Sequence, residues 1–78
     1  MAKAFVLISA EPRSEKEILE HLRGVPEVKE AHFMYGVYDF IAEVEADSMS
    51  RLKEVIEQKV RRLDNVRSTI TTIAMEEK

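Results

Sequence analysis

The sequence predicts an α+β fold of the ferredoxin-like type, a four-stranded antiparallel sheet with two helices on one of its faces. Two observations predict it. Four β-prone segments and two amphipathic segments follow one another in the order βαββαβ. In addition, residues 22–29 resemble residues 60–67, so each half of the chain is a strand, a helix and a strand that leaves the helix in the same way. Right-handed crossovers then bring both helices to the same face of the sheet.

The first half of the chain starts with a strand and a helix. Residues 2–10 contain a run of four large apolar side chains, which predicts a strand buried on both faces. Ser14 is followed three positions later by Glu17, a spacing typical of the capping box that starts a helix. Gly24 stands where the end of this helix needs a left-handed residue, and the sequence therefore predicts a helix over residues 14–23.

The middle of the chain predicts a β-hairpin. Residues 28–35 and 38–46 have the composition of a second and a third strand, and the short segment 35–39 joins them. Gly36 gives this turn the conformational freedom that a tight reversal of the chain requires.

The remaining segments are a helix and a strand. Asp47 or Ser48 can cap the helix, and the apolar residues that follow are spaced at threes and fours. These residues are Met49, Leu52, Val55, Ile56, Val60 and Leu63. The pattern then breaks, and residues 66–75, rich in threonine and isoleucine, predict the last strand. Residues 76–78 are expected to form a solvated tail.

The length and composition predict one domain over residues 1–78 that forms a homo-oligomer. Chains of 78 residues build only a marginal core, and they gain stability from disulfides, a metal or a partner subunit. This chain has no cysteine and only two histidines, which leaves a partner subunit. The sheet leads to the same conclusion, because two helices cover one face while apolar residues such as Phe5 and Val6 alternate between both faces. We therefore expect the sheet of another subunit to cover the second face.

Charge and motif content exclude several classes of function. The formal net charge is −3, and the basic residues within 59–67 suit the C-terminus of a helix, so direct DNA binding is not expected. The apolar N-terminal run is too short for a membrane helix and has no signal-peptide pattern, which predicts a cytoplasmic protein without membrane contact. Since no nucleophile–base pair, phosphate loop or metal-ligand spacing is present, we expect no enzyme activity, cofactor or metal.

Four segments of the chain resemble those of a known family. They are residues 4–8, 25–31, 35–44 and 66–71. The Gly-x-Tyr-Asp motif at 36–39 and the Thr-x-Thr motif at 69–71 are specific in combination. On these motifs, essentially the whole chain resembles the C-terminal regulatory (RAM) domain of the Lrp/AsnC transcription regulators.

This resemblance implies both an assembly and a ligand. It implies sheet-to-sheet dimers that assemble into a tetramer or an octamer, with small amino-acid effectors bound between the dimers. Regulators of this family carry a helix-turn-helix domain before the regulatory domain, and this chain is expected to be a stand-alone form without one. Modulation of transcription would then proceed through full-length Lrp/AsnC regulators as partners.

The turn of the hairpin contains the first group of candidate ligand-binding residues. Asp39 can accept a hydrogen bond from the ammonium group of a zwitterionic effector. Alternatively, its carboxylate caps the turn by hydrogen bonding to nearby backbone. The backbone amides of Gly36 and Val37 offer donors for the effector carboxylate, although they are also part of an ordinary hairpin turn.

Two tyrosines and two threonines complete the candidate set. Tyr35 and Tyr38 can wall a pocket, or they can pack against the sheet or an interface. Thr69 and Thr71 share one face of the last strand because side chains alternate, and their hydroxyls can anchor a polar ligand. Their alternative role is to favour the strand, since threonine has a high β-propensity.

Three functions are compatible with these residues. The first is an effector-binding and oligomerising regulatory module. The second is a small dimeric α+β barrel enzyme, which shares the same fold, although His21 and His32 lack an obvious catalytic partner. The third is a structural partner of full-length regulators that binds no ligand.

Overall fold

A computed structural model describes residues 1–74 and confirms the βαββαβ order. The elements are β1 (Ala2–Ala10), α1 (Glu15–Arg23), β2 (Val28–Phe33), β3 (Phe40–Ala46), α2 (Met49–Val55), which continues as a π-helical segment (Ile56–Arg61), and β4 (Val66–Ala74). We refer to Ile56–Arg61 as the π segment.

The four strands form one antiparallel sheet in the order β2-β3-β1-β4. Strand β1 lies in the middle, so that Ile8 has Phe40 on one side and Thr69 on the other. This order is the one that the split βαβ pattern of the sequence predicts, and the ferredoxin-like fold is therefore confirmed. Strands β2 and β4 form the two edges of the sheet.

The core fills the space between the helices and one face of the sheet. Alternate residues of β1 and β3 point into it, and the apolar stripes of both helices close over them. Its largest fully buried side chains are Phe40, Ile8, Leu22, Leu52, Val6, Val44, Val55 and Val60. The apolar stripes of the two helices thus bury only one of the two faces of the sheet.

The other face of the sheet has no cover within residues 1–74, and we call it the open face. Its apolar centre consists of Phe5, Leu7, Ile41 and Ile70, of which Phe5 is 37% and Ile70 47% exposed. Within a single subunit β1 is thus buried on one face only, and burial of its other face by a partner subunit stays a prediction. The reason is that both helices lie on the same side of the sheet.

The margin of the open face is charged. The Lys3 ammonium lies 3.1 Å from the Glu43 carboxylate and 3.5 Å from that of Glu45. The hydrogen bond and the charge of Glu43 raise the pKa of Lys3 above its usual value. The apolar centre is thus flanked on one side by ionised groups that partly neutralise one another.

Both expected ends of α1 differ from the prediction. Ser14 does not cap the helix, because its hydroxyl donates to the Glu11 carbonyl and closes the preceding turn instead. Gly24 has φ −88° and ψ −6°, and is therefore not left-handed. The helix ends in a tighter turn, in which Gly24 N–H donates to the His21 carbonyl at 3.0 Å. A non-glycine residue with a positive φ, at 71°, is Arg13 in the loop before the helix.

Several other boundaries shift by one or two residues. Strand β2 ends at Phe33 rather than at residue 35, and β3 begins at Phe40 rather than at residue 38. Strand β4 is described as far as Ala74. The predicted last residue of that strand, Met75, and the predicted tail at 76–78 lie outside the described residues.

The start of α2 gives a first testable prediction. The Ser48 hydroxyl accepts a hydrogen bond from Arg51 N–H at 3.1 Å, so Ser48 rather than Asp47 is the N-cap. We expect Ser48→Ala to lower the free energy of unfolding by about 1 kcal/mol, the usual contribution of such a cap. Ser50→Ala, at the second residue of the same helix, is the matched control and is expected to change stability by less. Urea denaturation measures both variants, and equal losses would contradict the capping role.

Candidate ligand-binding site

The turn between β2 and β3 projects from the end of the sheet. Met34 N–H donates to the Asp39 carbonyl at 2.7 Å and closes the hairpin. Gly36 has a φ of +146°, which L side chains rarely adopt, and this explains the glycine in the sequence. Tyr35 is fully exposed and Val37 is 87% exposed. The tip therefore presents an aromatic and an aliphatic side chain to solvent.

Asp39 fastens this turn to the end of β1. Its N–H donates to the Ile8 carbonyl at 2.8 Å, and its Oδ2 accepts from Ala10 N–H, also at 2.8 Å. The capping alternative of the sequence analysis is thus correct in kind, although the carboxylate bonds to β1 rather than to the backbone of the turn. Within residues 1–74, no hydrogen bond engages Oδ1, so one carboxylate oxygen is available to a ligand.

Thr69 and Thr71 lie on one face of β4, as predicted. They are the register partners of Ile8 and Val6, and so they belong to the helix-facing side of the sheet. Because β4 is an edge strand, Thr69 is only partly buried and Thr71 is exposed. Thr71 lines a shallow depression between β4 and the π segment, whereas Thr69 lines a second one at the start of β4.

The turn and the threonines occupy opposite sides of β1. Asp39 contacts β1 from the β3 side, and Thr69 pairs with β1 from the β4 side. Two strand spacings separate them, which amounts to about 10 Å. The depressions that contain Thr69 and Thr71 include no residue of the turn. One subunit therefore presents the predicted ligand-binding residues as two separate groups.

The family follows from comparison with known proteins. Residues 3–78 match the family model described as the Lrp/AsnC ligand binding domain. The chain belongs to the Lrp/AsnC ligand-binding domain family. The resemblance that the sequence motifs suggested is thereby confirmed.

Relatives of this Lrp/AsnC domain include regulators and solved structures. An uncharacterised HTH-type transcriptional regulator of Pyrococcus abyssi is 33% identical over 90% of the chain, which spans only 44% of that regulator. A hypothetical protein from Pyrococcus horikoshii has a crystal structure with a TM-score of 0.92 and 40% identity, covering 99% of this chain and 93% of its own. The structure of Escherichia coli AsnC gives a TM-score of 0.88 at 26% identity, over 97% of this chain and 52% of AsnC. The matched family is one of ligand-binding domains and the Pyrococcus abyssi relative is a transcriptional regulator, which confirms the prediction that the chain is not an enzyme.

The two histidines of the Lrp/AsnC domain each contact another residue of the chain and, among the described residues, do not form a metal site. His21 Nε2 lies 3.2 Å from the Lys59 carbonyl and links α1 to the π segment. His32 pairs with Glu30 at 3.0 Å on strand β2. Within residues 1–74, no three histidine, cysteine or acidic side chains form a group that can hold a metal ion. Among the described helices, none is both long and apolar enough to cross a membrane.

The basic residues within 59–67 are placed in a way that the sequence did not indicate. Arg62 donates to Gln58 at 3.0 Å, as expected for a solvated helix end. Arg61 and Arg67, by contrast, line the same depression as Thr69. Two backbone irregularities lie beside it, the π segment and a register shift in β4. The spacing of apolar residues carries no signal for either irregularity, because it constrains the buried face and not the exposed one.

Proposed function

We propose that this Lrp/AsnC domain binds a small amino acid between dimers and thereby modulates transcription through regulators of its family. The observation that carries the proposal is the Asp39 carboxylate, which is fixed by β1 through one oxygen and keeps the other available beside the exposed turn. A carboxylate held in this way is a pre-organised acceptor for an ammonium group. Membership in a family of ligand-binding domains supports the same reading.

The dimer is proposed to form by stacking of two open faces. In a twofold dimer each subunit uses the same surface, so the apolar centre around Leu7 meets its own copy. Contiguous apolar surface of this kind is rarely left exposed by soluble monomers. The charged group around Lys3 then lies at the margin of the interface, where its ionised groups stay near water.

The dimers are proposed to join into a ring, a tetramer or an octamer, through the hairpin turns. Tyr35 and Val37 are the most exposed large side chains of the hairpin and are placed to contact a neighbouring dimer. Such a contact brings a second subunit to the turn and supplies the enclosure that one subunit lacks. The ligand would then lie near Gly36, Val37, Tyr38 and Asp39, with Thr69 and Thr71 as further candidates.

Partner regulators are proposed on the basis of the same family membership. The regulator of Pyrococcus abyssi contains a segment similar to this chain within less than half of its length. Full-length regulators therefore offer the same type of surface to pair with, and the domain is proposed to act through them. Direct DNA contact is not part of the proposal, because the chain has a net charge of −3.

Substitution of Asp39 tests the proposed effector site. Asp39→Ala removes the ammonium acceptor and is expected to weaken binding by about 1.5–3 kcal/mol, the range for a hydrogen bond to a charged group. Asp39→Asn keeps an oxygen for the Ala10 N–H and should lose less. Titration calorimetry with each of the twenty amino acids identifies the effector on the wild type and then measures both variants.

The control for this experiment is Asp47→Asn, which removes an exposed carboxylate at the opposite end of β3. Its affinity for the effector is expected to equal that of the wild type. Light scattering on each variant separates loss of assembly from loss of affinity. Absence of heat and of thermal stabilisation with every amino acid would favour the ligand-free structural partner instead.

A further inference from the structure

Two irregularities of the backbone converge at the start of β4. On the helix side, the π segment ends at Arg61. On the strand side, Ser9 pairs with Ser68 but Ala10 pairs with Val66, which leaves Arg67 as the extra residue of a bulge. π-helical turns and β-bulges both occur preferentially at functional sites, because each redirects a side chain out of the regular pattern. Here each irregularity contains or adjoins an arginine, and both arginines line one depression.

That place is the β4 depression, which we define by its lining residues. They are Arg61, Val66, Arg67, Ser68 and Thr69. Its volume is about 280 Å³. Four of the five lining residues are polar, and two of these are arginines. It lies on the free edge of the sheet, so a ligand can approach it without displacing another strand.

The donors around the depression are largely uncommitted within residues 1–74. Arg61 donates through Nη1 to Glu57 at 3.1 Å, and its other N–H groups make no further hydrogen bond. The Nε atom of Arg67 lies 3.8 Å from the Glu11 carboxylate, which is beyond hydrogen-bond distance. A guanidinium group presents several donors in one plane, and that plane matches the two oxygens of a carboxylate.

We propose that the β4 depression binds a carboxylate group of the effector and gives the domain a preference for acidic amino acids over their amides. This inference rests on the proposed function, because Thr69 belongs to both and the turn with Asp39 would come from the neighbouring dimer. A singly charged carboxylate fits better than a phosphate dianion, since Glu57 and Glu11 at the rim offset part of the arginine charge. The chemistry of the ligand is thus that of glutamate, aspartate or a related dicarboxylate.

Calorimetry with matched ligand pairs tests the preference. The probes are glutamate with glutamine, aspartate with asparagine, glutarate, and inorganic phosphate. We expect the wild type to bind at least one acidic amino acid about tenfold more tightly than its amide, as one charge-assisted hydrogen bond provides. Arg67→Gln and Arg61→Gln should each remove most of that preference while leaving the affinity for the amide unchanged. Arg62→Gln, whose guanidinium bonds to Gln58 outside the depression, should retain it.

The possible results separate this inference from the proposed function. Equal affinity for an acid and its amide overturns the carboxylate preference and leaves effector binding intact. Binding of glutarate that Arg67→Gln abolishes, without binding of any amino acid, supports the depression as a carboxylate site and overturns the effector proposal. Phosphate that binds more tightly than glutarate overturns the assignment to a carboxylate. No binding of any probe overturns the carboxylate site, and the proposed function is then decided by the titration with all twenty amino acids.

Discussion

Leu7→Glu is expected to reduce the mass of the protein in solution from a multiple of 9.0 kDa to 9.0 kDa. Leu7 lies at the centre of the open face, between its register partners Ile41 and Ile70. A glutamate in this position would place two carboxylates between stacked sheets without any partner charge. Burying an unpaired charge costs several kcal/mol, which is enough to dissociate a dimer of this size.

The subunit itself should survive this substitution. Leu7 points away from the core, where Val6 and Ile8 on either side are fully buried. Circular dichroism is therefore expected to show an unchanged content of helix and strand. Gln58→Glu adds the same charge on the exposed side of the π segment and should leave the mass of the assembly unaltered.

Light scattering or sedimentation at micromolar concentration measures the mass. A wild type of 9.0 kDa would contradict the proposed dimer directly. A Leu7→Glu variant that keeps the mass of the wild type would show that the subunits associate through another surface, such as the hairpin turn. The first result would contradict oligomerisation itself, whereas the second would contradict only its proposed interface.

Periodicity was sufficient to predict the architecture. The alternation of β1 and the apolar stripes of the two helices each reflect which side chains are buried against the core, and burial is what the sequence records most directly. The hairpin was predictable for a different reason. A backbone φ of +146° at Gly36 is a conformation that side chains with a Cβ avoid, so the glycine itself marks the turn.

Details that depend on the path of the loops were not predictable. Ser14 and Ser48 both precede a helix, yet only Ser48 has the extended backbone, with φ −142° and ψ 162°, that lets its hydroxyl reach an amide of the first turn. At Ser14 the backbone has φ −106° and ψ 6°, and the hydroxyl faces the Glu11 carbonyl instead. The sequence spacing is that of a capping box, but the preceding loop decides whether the box can form.

The candidate site was likewise predictable in its residues but not in their arrangement. Residue types and the family resemblance singled out Asp39, Thr69 and Thr71. Their separation by β1, however, follows from the strand order, which places β1 between the hairpin and β4. The β4 depression lies beside the register shift at Arg67 and the π segment, and the spacing of apolar residues marks neither of them.

Phe40→Ala is expected to produce the largest loss of stability in the subunit. Phe40 is fully buried and is the largest such side chain of the core. Replacing a buried phenylalanine by alanine costs about 3–5 kcal/mol, because the lost contacts and the cavity both contribute. The whole free energy of unfolding of a domain this small is about 4–12 kcal/mol, so the variant should unfold at low urea or fail to fold.

Phe33→Ala provides the matched comparison. Its ring centroid lies 5.5 Å from that of Phe40 at a tilted angle, so both substitutions remove the same aromatic pair. Phe33 is 52% exposed, however, and its removal leaves no closed cavity. We expect a loss of about 1 kcal/mol, mostly from the ring pair. Urea denaturation at several protein concentrations separates the effect on the subunit from any effect on association. Equal losses for the two variants would mean that the ring contact, rather than burial of Phe40, stabilises this end of the sheet.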